Sequence, residues 1–438
     1  MPRRSSAWIR PAVCLLTALL AIGRAAAAST EQALVEFVEQ HTGEALELIE
    51  KSVNINSGTM NFAGVRQVGE LLRPYFAALG FEVRWVDGAP FGRAGHLIAE
   101  RAGTGPHVLL IGHLDTVFEP TSSFQRFERI DAQTARGPGI ADMKGGNVIG
   151  LMALRALAAV DALDALQVTV VLHGDEEDAG APLHLARQHL VEAAKSADIA
   201  IGLENADDDP TTAVIARRSS SSWQLRVHGR SAHSSQVFGE DVGAGAIYEI
   251  ARILHGFYTE LSGEANLTFN PGLIVGGAQT DFQDEPLRGR ASGKTNIVAG
   301  TAIASGDLRA LSVAQRERAK ARMRQVVAAH LPHTSAQLMF EDSYPPMTPT
   351  AGNERLLALY DEVSRDLGFG PVTAVDPRKA GAADVSFAAA HVEMAIDGLG
   401  LLGGDSHTPR EYADLRTLPL QTKRLAVLLY RLGRGAGT

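Results

Sequence analysis

Four short apolar runs, at 107–111, 167–172, 199–203 and 394–396, are separated by stretches of helical periodicity at 146–160, 181–195 and 354–367. Runs of that length without polar alternation predict strands buried on both faces, and their alternation with helices predicts a mixed, mostly parallel sheet flanked by helices. The fold class is therefore α/β. Open sheets of this kind place their sites beyond the carboxyl ends of the strands, so the residues that follow each run matter most. Two more helices are predicted at 31–52 and 62–79, the second capped by Asn61 and ended by Gly80.

From Ser219 the rhythm changes. The stretch 221–227 alternates like a half-exposed strand, 243–255 and 313–329 are helical, and 267–275 and 296–308 are strand-like. That pattern predicts an inserted α+β unit at 219–332, between α/β segments at 29–218 and 333–438.

Residues 1–28 stand apart. Arg3, Arg4 and Arg10 accompany an apolar run at 12–22, and Ala26, Ala27 and Ala28 precede Ser29. This order is that of a cleaved secretory signal peptide, and the run is too short to span a bilayer. A periplasmic or secreted mature protein, off the membrane once the signal is cleaved, is the expectation. The full chain carries 41 basic and 50 acidic residues; without the leader's four arginines 37 basic residues remain, for a formal charge of −13. Such a surface argues against nucleic acid or anionic membrane as a partner. The one cysteine, Cys14, lies in the leader. A metal in the mature chain would have to be held by histidines and carboxylates.

Five clusters carry such groups. His113 and Asp115 follow the first run, as a strand-end imidazole with a carboxylate able to orient its ring. Asp142 sits among Gly137, Gly139, Gly145 and Gly146, before a helical stretch. Asp175, Glu176, Glu177 and Asp178 follow the second run, and four consecutive acids are easiest to tolerate around a multivalent cation. Glu204 follows the third run, and His407 lies in a late Gly-rich loop. Singly, each also fits a bland role: a structural histidine, a glycine turn, a solvated acidic loop. Jointly, His113, Asp142, Glu177, Glu204 and His407 could hold two divalent ions with Asp142 shared, leaving Glu176 beside them as a proton acceptor.

The set closely resembles the aminoacylase, glutamate carboxypeptidase and succinyl-diaminopimelate desuccinylase family of dizinc hydrolases, over nearly the whole mature chain. The resemblance implies a zinc exopeptidase-like catalytic domain with an inserted lid and dimerisation domain. It implies two Zn2+ per chain, with Co2+ or Mn2+ as alternatives, held by His113, Asp142, Glu177, Glu204 and His407. Asp115 would orient His113, Glu176 would be the general base, and the Asp142–Met143 bond would be cis. In Gly229-Arg230-Ser231-Ala232-His233-Ser234 the imidazole of His233 would reach the active site of a partner subunit and stabilise the oxyanion. Asn296 and Arg309 would contact the substrate carboxylate, and Gly381 would contribute to the substrate site.

Two departures stand out. The family's Gly-Gly-x-Asp loop is reduced here to Gly381 and Asp384, and Ser343-Tyr344-Pro345-Pro346-Met347-Thr348 lacks the arginine of glutamate-releasing members. The expected activity is hydrolysis of the amide bond of small peptides or N-acyl amino acids with a free carboxylate, most simply by a carboxypeptidase. Export argues against a biosynthetic desuccinylase. An N-acyl-amino-acid deacylase and a non-catalytic dimeric binding protein of the same fold are the alternatives. A serine hydrolase using Ser406 and His407 lacks the Gly-x-Ser-x-Gly elbow.

Overall fold

Strand His107–His113 is buried along its whole length, as a strand must be when helices cover both sheet faces. It runs parallel to Gln167–His173 on one side and to Ile199–Gly202 on the other. Met394–Ile396 extends the sheet in parallel beyond Ile199–Gly202. Gly95–Arg101 and Glu82–Asp87 complete the other side as antiparallel strands, so the six-stranded sheet is mixed. The pairing of His113 with His173 brings the ends of the two central strands level, and Ile111 pairs with Gly202. The segments carrying Asp115, Glu176 and Glu177, and Glu204 therefore leave the sheet at one edge.

The computed structural model describes residues 10–284 and 286–436, with side chains from Ser29 onward. The expected leader at 1–28 lies outside the residues whose side chains are described. Among the described residues, no helix is long and apolar enough to cross a membrane. The chain divides into two units: one reaches to Ala213 and adds Arg355–Thr373 and the chain from Glu393 onward, and the other comprises Val214–Glu354 and Ala374–Val392.

In the first unit, helix Gly145–Ala159 packs against helices Arg10–Val53 and Thr417–Gly433. It starts hard against the sheet: a Cβ on Gly146 would run into the carbonyl oxygen of Leu203. Glycine at this point lets the segment behind Asp142 approach the strand end that leads to Glu204. The helix expected at 181–195 is broken into Leu183–Ala186 and Gln188–Ser196. Between them, the buried Arg187 turns its guanidinium onto Asp175, with Nη1 donating to Oδ1 at 2.8 Å. A second sheet, ordered Gly403–Gly404, Tyr412–Asp414, Thr134–Arg136, Glu128–Arg129, links the late Gly-rich loop to the chain that leads into Asp142.

The second unit contains the 219–332 block and adds strand Ser335–Asp342 to its sheet. The strand order is Thr268–Gly277, Thr301–Arg309, Ser221–His228, Ser335–Asp342, with every pair antiparallel. Inward residues Trp223, Leu225 and Val227 meet Ile250, Ile253 and Phe257 of helix Ala246–Leu261. That helix begins later than expected because Gly245 sits at φ 77°, outside helical geometry. The strand expected at 296–308 begins only at Thr301, which leaves Asn296 in the preceding loop.

Candidate metal centre

His113 is fully buried at the end of the central strand, and its two ring nitrogens face different chemistry. Nδ1 lies 3.1 Å from the Asp115 carbonyl oxygen and 3.3 Å from Asp115 Oδ1. Both partners only accept, so Nδ1 carries the proton and donates. In the neutral ring Nε2 then presents a lone pair, and it faces Asp142 Oδ1 at 3.1 Å and Glu204 Oε1 at 3.6 Å. A lone pair aimed at two carboxylate oxygens is repulsive unless a proton or a cation lies between them.

The same confrontation recurs on the other side of Asp142. His407 Nε2 lies 3.1 Å from Asp142 Oδ2 and 3.1 Å from Glu177 Oε2. One aspartate thus turns one oxygen to each imidazole, and each imidazole meets one further carboxylate. The two halves differ in access, since the His113 side chain is 0% and that of His407 57% exposed to solvent. Donor atoms of His113, Asp142 and Glu177 lie within 4.8 Å of one another, as do those of His113, Glu176 and Glu204.

The electrostatics point the same way. Burial works against a charge on His113, but its bonds to Asp115 and Asp142 outweigh this and hold the imidazole well above its ordinary range. The bonds from Asp142 and Glu177 draw His407 up to about 11. Asp142 is lowered despite its burial, by His113 and then His407, whereas burial and the Asp142 charge raise Glu177. The cluster attracts positive charge at two points. Nitrogen and oxygen donors in that ratio, without sulfur, suit divalent ions such as zinc, cobalt or manganese. The residues present therefore fit a pair of such ions: His113, Asp142 and Glu204 for one, His407, Asp142 and Glu177 for the other.

The surrounding bonds hold this arrangement. Asp115 accepts from the backbone N–H of Glu176 at 3.0 Å, from that of Glu177 at 3.1 Å and from Thr59 Oγ1 at 2.7 Å, so one carboxylate orients His113 and seats both glutamates. Asp397, buried beyond strand Met394–Ile396, accepts from the Glu204 N–H at 3.2 Å. Asn147 Nδ2 donates to the His113 carbonyl at 2.6 Å. Glu411 accepts three N–H bonds from residues 139–142. Burial first and the Asp142 charge second push Glu411 up to about 8, and a cation on Asp142 would remove the second cause. Burial pulls Lys144, whose Nζ donates to the Ile55 carbonyl at 2.9 Å, down to about 7. The peptide bond between Asp142 and Met143 is cis.

The structure thus brings His113, Asp115, Asp142, Glu176, Glu177, Glu204 and His407 together in the first unit. His233, Asn296, Arg309 and Gly381 belong to the second. There, the Ser234 N–H donates to the Asn296 carbonyl at 2.8 Å and the Val298 N–H to the Ala232 carbonyl at 2.9 Å, so the His233 and Asn296 loops are zipped side by side. His233 is exposed, with Nδ1 accepting from the Ser235 N–H. Arg309 lies at the far end of strand Thr301–Arg309 from that pair, its Nε 3.1 Å from Asp307 Oδ2. The exposed Gly381 accepts at its carbonyl from Arg217 Nη1 at 2.8 Å. Asp397, Asn147 and Glu411 carry no sequence signal of their own, because the site groups they hold, the Glu204 N–H, the His113 carbonyl and the 139–142 N–H groups, are main-chain atoms distant in the chain.

The family model described as peptidase family M20/M25/M40 matches residues 109–431, a span holding every residue of the cluster. Carboxypeptidase G2 of Pseudomonas sp. (strain RS-16) is 26% identical over 434 residues, 97% of each chain. Among solved structures, the aminopeptidase PepT of Bacillus cereus superposes with a TM-score of 0.69 at 17% identity, covering 89% of this chain and 98% of its own. The YXEP protein of Bacillus subtilis, described as a dinuclear metal-binding peptidase of family M20, gives a TM-score of 0.61 at 15% identity, covering 90% of this chain and 98% of its own. On the family match and this donor arrangement, the chain belongs to peptidase family M20/M25/M40 and is a metal-dependent hydrolase.

Proposed function

We propose that this chain is an exported dizinc carboxypeptidase that cleaves the amide bond next to a free carboxylate in small peptides. The observation that carries the reading is the meeting of two imidazoles on the two oxygens of Asp142, with the Glu176 carboxylate alongside. Divalent ions bound there supply Lewis acidity for the scissile carbonyl. Glu176 takes a proton from the attacking water and hands it to the leaving amine, which departs neutral. The guanidinium of Arg309 offers a two-pronged donor for the substrate carboxylate. The segment 343–348 contains no arginine, so the released residue is left open rather than set as glutamate, and N-acyl amino acids, which end in the same carboxylate, form the second substrate class.

A screen of zinc-loaded protein tests this. Dipeptides and N-acyl amino acids with free carboxylates are expected to exceed their C-terminal amides in kcat/KM by roughly 10–100-fold, the worth of charge-assisted hydrogen bonds to that group. Equal rates for acid and amide would overturn the carboxylate-directed reading.

His233 and Asn296 lie about a strand's length from Arg309, on the order of 25 Å for nine residues. One chain therefore does not present all three to a single small substrate, and a second copy supplying His233 and Asn296 accounts for them. We place the dimer in the periplasm on the charge order of residues 1–28. Protein recovered from the periplasmic fraction is expected to begin near Ser29 and to sediment as a dimer; a fully active, full-length cytoplasmic monomer would contradict both statements.

A further inference from the structure

We propose that Glu411 is a positioning residue that locks the Asp142 loop to the His407 loop and so sets the spacing of the two halves of the metal centre. The inference rests on reading the cluster as that centre.

Glu411 is 1% exposed and lies four positions after His407. Its Oε2 accepts from the Gly139 N–H at 3.1 Å, and its Oε1 accepts from the N–H groups of Ala141 at 3.0 Å and Asp142 at 3.2 Å. Its own carbonyl accepts from the Gly137 N–H at 3.3 Å. Immediately afterwards Tyr412 pairs with Arg136 in the small antiparallel sheet. A single residue therefore spans 137–142 with both main chain and side chain. Successive N–H groups converging on one carboxylate form an anion-binding nest, here closed by a residue of the opposite loop.

The consequence concerns Asp142. Its carboxylate serves both halves only while Oδ1 and Oδ2 each stay 3.1 Å from their imidazole, and that orientation is inherited from its main chain. The Asp142 N–H is one of the three groups Glu411 holds. Releasing it lets the loop turn relative to His407, which belongs to the other strand pair. Glutamine cannot substitute, because its one acceptor oxygen leaves a donor NH2 facing another N–H. Aspartate keeps both acceptors but withdraws them by one methylene.

The test is zinc titration of metal-free protein with a competing chelator, alongside kinetics and thermal melts. Wild type is expected to take up two ions. Glu411→Gln is expected to bind the ion shared by Asp142 and His407 roughly 10–100-fold more weakly, the usual cost of removing a group that orients a ligand, with kcat reduced and KM little changed. Glu411→Asp should fall between the two. A Glu411→Gln protein that melts lower when metal-free but binds both ions with wild-type affinity would overturn the proposal and leave Glu411 a purely structural acid. Should the glutamine variant fail to fold, the aspartate variant decides on the same measurement, and unchanged affinity there overturns it equally. Wild type that binds no zinc would overturn the metal-centre reading as well, which separates the two failures.

Discussion

Replacing Glu176 by glutamine is expected to lower kcat by roughly 10²–10⁴-fold or more while both metal equivalents are retained. Glutamine matches the glutamate in size and keeps the backbone N–H that donates to Asp115 Oδ1, so the loop and the neighbouring Glu177 stay in place. What disappears is the basic oxygen beside His113 and Glu204. If that oxygen serves first as base and then as acid, both proton transfers fail at once. Single-turnover rates together with metal analysis decide the case. Near-wild-type turnover would remove Glu176 from the chemistry, and loss of one metal equivalent would make it a ligand instead.

Asp142→Asn is expected to be more disruptive, weakening metal binding by at least about 100-fold and reducing turnover to background. Both imidazoles face oxygens of this one carboxylate, and an amide can offer an oxygen to only one of them. It also removes the charge that, together with Glu177, draws His407 up to about 11, so His407 in the metal-free variant should titrate closer to an ordinary histidine. Metal titration and NMR of the imidazole protons measure the two effects. A variant that still holds two ions with wild-type affinity would show that Asp142 is not the shared ligand.

Part of the site could be read along the chain because His113, the acidic residues 175–178 and Glu204 closely follow short apolar runs. Strands buried on both faces leave no polar alternation, and in a parallel arrangement their ends share one edge, so one-dimensional pattern put the segments carrying His113, Glu176 with Glu177, and Glu204 at one edge. Strands with an exposed face gave a weaker signal. Glu82–Asp87 and Ser335–Asp342 are only partly covered, and their polar residues hide them among loops. Asn296 fell within an expected strand that begins only at Thr301, because the N–H of Ser234 captures the loop before it.

The amino-acid order by itself determined the α/β class and brought out His113, Asp142, Glu176, Glu177, Glu204 and His407 as candidate donors, since both follow from local periodicity and residue type. Tertiary structure alone decided that Asp142 turns one oxygen to each histidine, that Asp115 seats both glutamates and that Glu411 gathers the 137–142 main chain. The physical reason is that these relations are hydrogen bonds and registers between segments far apart in sequence. Backbone N–H groups are the same at every position, so which of them a buried carboxylate meets is settled only when the sheet has formed.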